Sequence, residues 1–406
     1  MGEETATLSL NQSQAIQRAL VHNRALKAAR LTVEQTKAKG KDVAKLQNPE
    51  LNLDYAANPK FTKRNESAWE IGLVQKFPIT QRLKILKNIS SKELFLARTE
   101  ILNQERLLIG QVETAVITLL HLEQQQTIKT ALIELNQDFL TNLQSLFAKG
   151  EISSPLLRRI EMERMVLLER QQQLATEKLD KTVALQTLMG WEGNLTLQAD
   201  QETRLPKPIP PLTPYSKENL FQHPEYQIKK ILHEISQERY TLSQAQRWAD
   251  IEVSLFYRRE NEPSLSSESN HKTDFFGLGL SIPLPLRNRY QGTLEAAQFH
   301  QQQRLQERDL CAYHIQKHTQ LLSAKTELNY QQAQVYRDQF IKLAKHNLDQ
   351  AKRSYQLGQI DSIELYNAKV QWWNFQSTLL DKIKAFHTTY IDWKTATNKN
   401  RNDHML

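Results

Sequence analysis

A strand pattern near residue 280 stands out in a chain that otherwise shows helical periodicity. Residues 274–289 read DFFGLGLSIPLPLRNR. The larger apolar side chains alternate with glycine or serine and are Phe276, Leu278, Leu280 and Ile282. A period of two is typical of a strand whose two faces differ. Pro283 and Pro285 are expected to end this strand, because proline donates no hydrogen bond to a neighbouring strand.

The same alternation predicts three further strands and thus two β-hairpins. The additional stretches are residues 51–55, 69–73 and 251–257. Polar stretches at residues 57–67 and 259–272 lie between the paired strands and are predicted loops. The first predicted hairpin covers residues 50–78 and the second covers residues 250–283.

Long helices are predicted around the hairpins. Residues 83–147 contain no proline and one glycine, Gly110, and a continuous helix of that length would extend about 100 Å. A sharp turn is expected at residues 148–155, where Gly150 suits a helix C-cap and Pro155 the next first turn. Further helices are predicted at residues 8–46, from Pro155 to Met189, at residues 217–248, and from residue 362 to Trp393. The expected N-caps are Asn11 or Ser13 and Ser153 or Ser154.

The whole order of elements occurs twice. Leu51 matches Ile251 at an offset of 200, Gly72 matches Gly277 at 205, and Gly150 matches Gly358 at 208. An offset that drifts this slowly indicates a duplication. We expect a first repeat at residues 1–190, a proline-rich linker at 191–216, a second repeat at 217–395 and a tail at 396–406. The second repeat would contain a long helix at residues 290–356 and a turn at residues 357–362.

Composition narrows the class of protein. The 406 residues are 39% hydrophobic and 24% charged, and only 11 are glycine, which favours long helices. The 53 basic and 45 acidic residues are interspersed, so the net charge of +8 indicates solvated helix faces rather than nucleic-acid binding. No apolar run is long enough for a transmembrane helix, and a single cysteine excludes an intrachain disulfide. The first residues, MGEETATLSL, resemble no signal peptide, so we expect either a cytosolic protein or a mature form whose signal peptide is replaced by a starting Met.

Four strands of about ten residues suit a transmembrane β-barrel, in which apolar outward side chains alternate with small inward ones. The lumen would be lined by Gly72, Gly277 and Gly279. The lipid would contact Leu73, Leu278 and Leu280. Four strands cannot close a barrel, and lipid tolerates no open edge, so several chains would share one barrel. A polar residue at Leu278 is expected to block insertion, and one at Gly277 only to constrict the pore. Two ordinary hairpins packed on soluble helices are the alternative.

Motifs at the strand ends and turns carry a family resemblance. Residues 48–51 read NPEL, the hairpins end in G-L-x-x-x-F/I-P at residues 72–78 and 277–283, and both turns read G-x-I-S/D-S. In this duplicated order, over about residues 8–393, the chain resembles the outer-membrane channel proteins of the TolC family. Its loops and strand exits are most similar to the heavy-metal branch, which is CzcC- and CusC-like.

The resemblance implies a fold that is mainly α with a small β part. It implies a homotrimer with a shared twelve-stranded β-barrel in the bacterial outer membrane and a long periplasmic α-barrel. Such a chain is the exit duct of a tripartite efflux system, joined by a periplasmic adaptor (a membrane fusion protein) to an inner-membrane RND-type transporter. It would export metal cations or other small toxic compounds and contact outer-membrane lipid. It would catalyse no reaction and bind no cofactor. The loops at residues 57–67 and 259–272 would be extracellular.

The two helix turns are the predicted adaptor contacts. They comprise Gly150, Glu151, Ile152 and Ser153 in the first repeat and Gly358, Gln359, Ile360 and Asp361 in the second. A Gly-x-Ile sequence that occurs twice fits a surface presented alike to helical hairpins of an adaptor. An ordinary helix turn would also use glycine and serine, which leaves that alternative open.

Glu364 and Asn367 lie one helical turn apart just beyond the second turn. In the family, an acidic pair at this place narrows the periplasmic gate. Glu364 keeps the charge and Asn367 departs from the pattern, so two carboxylate rings are not expected. Three copies of Glu364 would favour cations, whereas a solvated helix carboxylate is the alternative.

Neither a metal site nor an enzyme is expected. Cys311, His314 and His318 have a plausible ligand spacing, but 11 scattered histidines make coincidence the favoured interpretation. Common hydrolase, metalloprotease and nucleotide-binding motifs are absent. Trp69 and Tyr257 are candidates for an aromatic girdle. The alternative to a channel is a soluble, elongated coiled-coil scaffold or a periplasmic adaptor without a pore.

Overall fold

A computed structural model describes residues 8–57, 67–198, 204–212, 216–262, 271–285 and 287–400. The first half contains β1 (Leu8–Leu10), α1 (Gln12–His22), α2 (Arg24–Gly40), β2 (Glu50–Ala57), β3 (Ser67–Phe77), α3 (Arg82–Ala148), α4 (Ser154–Met189) and β4 (Leu195–Leu197). The second half contains α5 (Lys217–Gln222), α6 (Pro224–Ala245), β5 (Ile251–Glu262), β6 (His271–Ser281), α7 (Gln291–Val335), α8 (Ile341–Gln356) and α9 (Ser362–Ala396). A π-helical turn, Tyr336–Phe340, connects α7 to α8.

The fold is mostly helical with a small sheet part, as predicted, and each half has helices, a hairpin, a long helix, a turn and a helix. The chain divides into two compact units. The first unit contains residues 1–30, 100–226 and 311–406, and the second contains residues 31–99 and 227–310. Each unit therefore draws on both halves. The repeat boundaries and the linker at residues 191–216 stay a prediction.

The first predicted helix, residues 8–46, needs correction. Its first residues form β1, which pairs in parallel with β4 so that Leu8 lies opposite Leu195. Helix α1 begins after Asn11, one of the two predicted N-caps, whose side chain accepts a hydrogen bond from the Gln14 N–H at 2.9 Å. The three-residue alternation of β1 is too short to be separated from a helical pattern without knowing its distant partner.

Both halves interrupt a predicted helix at positions offset by 200 residues. Helices α1 and α2 meet at Asn23, which is buried and whose side chain accepts a hydrogen bond from the Leu26 N–H at 2.8 Å. The same side chain donates to the Leu188 carbonyl at 2.8 Å. Helices α5 and α6 meet at His223, because the following Pro224 disfavours helical backbone at the preceding residue.

The main core of the first unit forms where α1, α3 and α4 pack together. Its fully buried side chains include Ile16, Ile109, Val112, Leu185 and Met189. Full burial of an aliphatic side chain of this size contributes about 1.5–3 kcal/mol to stability. The cluster therefore fixes the three helices against one another.

The end of α9 is held by one face of α3, also in the first unit. Arg106 donates to the Thr395 carbonyl at 2.5 Å, and the Lys394 ammonium pairs with buried Glu113 at 2.6 Å. Gly110 lies between these residues on α3, and a side chain there would collide with Thr395. The one glycine in the predicted long helix is therefore explained by close packing of two helices.

The second unit contains a four-stranded sheet with the order β2-β3-β5-β6. All neighbouring strands are antiparallel. Beside the sheet in sequence, α3 and α6 pack through Ile85, Ile89, Ile231 and Ile235. The two predicted hairpins are thus joined by the β3–β5 pair into one continuous sheet.

Candidate functional site

One face of the four-stranded sheet is apolar and exposed. The register aligns two apolar rows across the strands, Leu53–Ile71–Tyr257–Phe276 and Leu51–Leu73–Leu255–Leu278. The exposed fraction is 71% at Leu53, 85% at Phe276 and 72% at Leu278. A contiguous apolar surface of this kind marks contact with lipid or with another protein.

Aromatic residues and a paired charge bound the apolar rows at the loop end of the sheet. The bounding row is Tyr55–Trp69–Arg259–Asp274. Arg259 donates two hydrogen bonds to Asp274, at 2.6 and 2.9 Å, and the Tyr257 hydroxyl donates a third at 2.9 Å. The Trp69 and Tyr257 rings meet edge-on with centroids 5.2 Å apart. Amphipathic rings of this kind suit a membrane–water boundary.

The opposite face of the sheet carries the three glycines predicted to line a lumen. Gly72 and Gly277 lie in one row on either side of Phe256, and Gly279 lies opposite Ser254. Any side chain at Gly277 displaces the Phe256 ring, whereas one at Gly72 meets only ordinary contacts at 3.6 Å. A side chain at Gly277 therefore has to displace the Phe256 ring, and the expected effect on pore width stays a prediction.

Both outer strands of the sheet are open edges. Among the described residues, β2 pairs only with β3 and β6 only with β5. Unpaired backbone groups along an exposed edge form a template for another strand. Most of the two predicted extracellular loops lies outside the described residues. The second loop is shorter than predicted, because β5 extends to Glu262 and β6 begins at His271.

The two predicted helix turns share one backbone geometry. Gly150 and Gly358 have φ of 76° and 69°, the left-handed region that glycine adopts without a steric cost. In each turn, the residue after the glycine donates its N–H five residues back. The distances are 3.0 Å from Glu151 to the Leu146 carbonyl and 2.8 Å from Gln359 to the Ser354 carbonyl. This pattern is the Schellman helix end.

The turns differ in how the next helix begins. The Asp361 side chain caps α9 by accepting a hydrogen bond from the Glu364 N–H at 2.8 Å. Ser153 precedes α4 without a side-chain cap. Ile152 packs against a buried cluster that consists of Phe139, Leu140, Leu143, Ile160 and Tyr366. The tips of the two helical hairpins are therefore held together by side chains from both halves.

The predicted gate residues Glu364 and Asn367 are both exposed. Buried Tyr366 lies between them in sequence, stacks on Phe139 with ring centroids 4.2 Å apart and accepts a hydrogen bond from Asn136 at 2.8 Å. Burial raises the pKa of Tyr366 to about 12. This anchor fixes the start of α9, while a gating role of Glu364 and Asn367 stays a prediction.

The sequence spacing of Cys311, His314 and His318 does not produce a shared site. Cys311 is buried against Tyr226 and Ile315, whereas His314 and His318 are exposed. The described residues contain no group of histidine, cysteine, aspartate or glutamate side chains arranged to hold a metal ion. In the same part of the chain, no helix is both long and apolar enough to cross a membrane.

Sequence reasoning misses Phe256 and the Arg259–Asp274 pair. Both become visible only with the β5–β6 register, which places Phe256 opposite Gly277 and Arg259 opposite Asp274. The sequence did contain a signal for this pairing. Arg259 and Asp274 lie equally far from the loop of the second hairpin, and so do Phe256 and Gly277.

Comparison with known proteins supports the fold. No protein-family model and no curated protein sequence matches this chain. The crystal structure of CusC, described for its transmembrane channel formation, matches with a TM-score of 0.78 at 19% identity, covering 95% of this chain and 91% of CusC. The outer-membrane channel CmeC of Campylobacter jejuni matches with a TM-score of 0.76 at 13% identity, covering 97% and 89%. The open-state outer-membrane channel MtrE of Neisseria gonorrhoeae has a TM-score of 0.74 at 14% identity, covering 96% and 89%.

Proposed function

We propose that this chain is an outer-membrane efflux channel of the TolC family, the exit duct of a tripartite pump. The observation that carries the proposal is the four-stranded sheet, which has one exposed apolar face, one polar face and two open edges. Its apolar face suits lipid, and its polar face with Gly72, Gly277 and Gly279 suits a water-filled lumen. The likeness in fold to solved outer-membrane channels supports the same function.

Open edges imply that several copies assemble. Inside a bilayer every backbone hydrogen-bonding group needs a protein partner, because lipid provides none. Pairing β2 of one copy with β6 of the next satisfies both edges. A homotrimer then forms a twelve-stranded barrel, which is above the usual minimum of about eight strands. The Tyr55–Trp69–Arg259–Asp274 row lies at the extracellular boundary of the lipid in this arrangement.

The helical part extends into the periplasm and receives the exported compound. The turns at Gly150 and Gly358 contact the periplasmic adaptor, which connects the channel to an RND-type transporter in the inner membrane. Three copies of Glu364 line the entrance and favour cations. The resemblance to the heavy-metal branch favours metal cations as cargo, with other small toxic compounds as the alternative.

The adaptor contact is tested by substituting the turn glycines. Gly150→Arg and Gly358→Arg add a bulky charge where an added Cβ meets no atom within 4 Å in the chain itself. We expect loss of resistance to metals or toxic compounds, with normal amounts of trimer in the outer membrane. The matched control is Gly150→Ala, which carries the same backbone strain without bulk. Full resistance in both arginine variants rejects the adaptor contact.

Cell fractionation separates the channel from a soluble scaffold. A channel gives heat-modifiable trimers that require detergent and sediment with the outer membrane. A soluble monomer or dimer supports a scaffold or adaptor instead.

Single-channel recording of the Glu364→Gln variant tests the predicted gate. Unchanged cation selectivity in this variant removes Glu364 from that role.

A further inference from the structure

The first unit contains a cavity of about 200 Å³ between α3, α4 and α9. Its wall carries one cationic side chain from each helix, Lys129 of α3, Arg170 of α4 and Lys384 of α9. Within the described chain, none of these three groups forms a salt bridge, and the one hydrogen bond of the Arg170 guanidinium goes to Gln173 at 2.9 Å. Three cations therefore converge on one space without a direct anionic partner.

One of the two carboxylates that line the cavity is already engaged. Asp381 Oδ1 lies 3.1 Å from His121 Nε2 and accepts a hydrogen bond from Gln125 at 3.1 Å. Gln125 is itself fixed by Ser377, whose carbonyl accepts at 2.9 Å and whose hydroxyl donates at 2.6 Å. This network orients Asp381 towards His121 instead of into a salt bridge with Lys129.

Lys129 is partly buried and lies within reach of the positive charge of Arg170. Burial, reinforced by the positive charge of Arg170, lowers the pKa of Lys129, and the charge of Asp381 only partly opposes this. The half-buried Lys129 and the exposed Arg170 carry like charges that repel each other. An anion between them removes that repulsion and accepts charge-assisted hydrogen bonds from both.

We propose that this cavity binds a small oxyanion, of the size of inorganic phosphate or a short dicarboxylate, through Lys129, Arg170 and Lys384. Glu177, the second lining carboxylate, forms no salt bridge among the described residues and lowers the affinity by repulsion. The site belongs to the helices of the first unit, and its binding of an anion does not depend on whether the chain forms a channel.

Calorimetric titration of the purified full-length protein in detergent tests the proposal. Inorganic phosphate and succinate are titrated separately at constant ionic strength, with chloride as the background anion, because surface charges are screened by salt. We expect saturable binding of at least one of the two, and the comparison assigns the site to a phosphate or a carboxylate. Lys129→Gln and Arg170→Gln should each weaken binding about tenfold, as loss of one charge-assisted hydrogen bond predicts.

Two further variants make the outcome decisive. Glu177→Gln removes a negative charge from the wall and should tighten binding severalfold, so a general loss of folding cannot mimic it. Arg158→Gln removes an exposed cation of α4 that lies about three turns from Arg170 and does not line the cavity, and it should leave binding unchanged. The proposal is overturned if neither anion binds the unmodified protein saturably, or if Lys129→Gln and Glu177→Gln bind like the unmodified protein.

Discussion

The two halves of the chain share the order and backbone geometry of their elements and differ in the side-chain contacts that stabilise them. Both break a helix at matching positions, but hydrogen bonds of the Asn23 side chain hold the first break, whereas Pro224 causes the second, at His223. Both end a long helix in the same glycine turn, but only the second turn has a side-chain cap, from Asp361. The duplication therefore extends to the backbone of the turns and hairpins, whereas the side-chain contacts inside each half are particular to it.

Substitutions in the sheet should have the largest effect. If both hairpins face lipid, a charged residue on the apolar face of either one should prevent insertion into the membrane. Leu53→Arg in the first hairpin and Leu278→Arg in the second should both prevent insertion, since an arginine facing the middle of a bilayer costs about 2–4 kcal/mol per copy. Asn52→Arg, one residue away on the opposite face, is the matched control and should insert. Insertion is measured by the heat-modifiable shift of trimers in isolated outer membranes. Insertion of both leucine variants at normal levels contradicts a lipid-facing surface.

The break between helices predicts a pH dependence that only the second half has. Burial, reinforced by the charge of Arg106, lowers the pKa of His223 from 6.5 to about 3. Between pH 6.5 and about 3, His223 is therefore protonated in the unfolded chain and neutral in the folded chain. The free energy of unfolding is highest above pH 6.5 and decreases as the pH falls towards 3. Between pH 7 and pH 4 the loss is on the order of 3 kcal/mol.

His223→Asn, which copies Asn23 of the first half, should remove this part of the acid sensitivity. The free energy of unfolding is measured by urea titration of the purified protein at pH 7 and at pH 4. An identical loss of stability in the variant and in the unmodified protein shows that His223 does not contribute.

The matched glycines of the hairpins should respond differently to the same substitution. Gly277→Val displaces the Phe256 ring and should destabilise the trimer by about 1–2 kcal/mol, in the range of other overpacked sites. Gly72→Val meets ordinary contacts and should cost less. The thermal midpoint of trimer dissociation on gels reports the difference, and Phe256→Ala should restore tolerance at Gly277. Equal midpoints for the two valine variants would falsify the role of Phe256.

The helix caps give the smallest expected effect. Asp361→Ala removes a side-chain hydrogen bond to the Glu364 N–H and should cost about 1 kcal/mol. Ser153→Ala at the first turn removes no cap bond and should change stability by less than about 0.5 kcal/mol. Chemical unfolding followed by circular dichroism measures both. A larger loss for Ser153→Ala than for Asp361→Ala reverses the inferred difference between the turns.

Local sequence signals predict the parts of the fold that depend on local physics. The alternation around Leu278 predicts a strand, and Gly150 and Gly358 predict left-handed helix ends, because each pattern reflects the backbone at that place. Features that depend on distant partners are not visible. The break at Asn23 needs the Leu188 carbonyl, and β1 needs β4, which lies far along the chain.

The candidate sites divide in the same way. The two faces of the sheet follow from a period of two, so the sequence alone assigns Gly277 and Leu278 to opposite faces. The Arg259–Asp274 pair requires the hairpin register. The cavity around Lys129 requires three helices from different parts of the chain, and no motif of one helix indicates it.

Cross-linking of the two open sheet edges tests the shared barrel most directly. In a Cys311→Ser background, Asn52→Cys on β2 and Phe275→Cys on β6 are treated in isolated membranes with a short bifunctional maleimide. Within one chain these edges are three strand spacings apart, about 14 Å, so a reagent that reaches only a neighbouring strand cannot join them. We expect covalent dimers and trimers and no larger species. Monomers alone, from protein that is present in the outer membrane, would contradict a barrel shared by three copies.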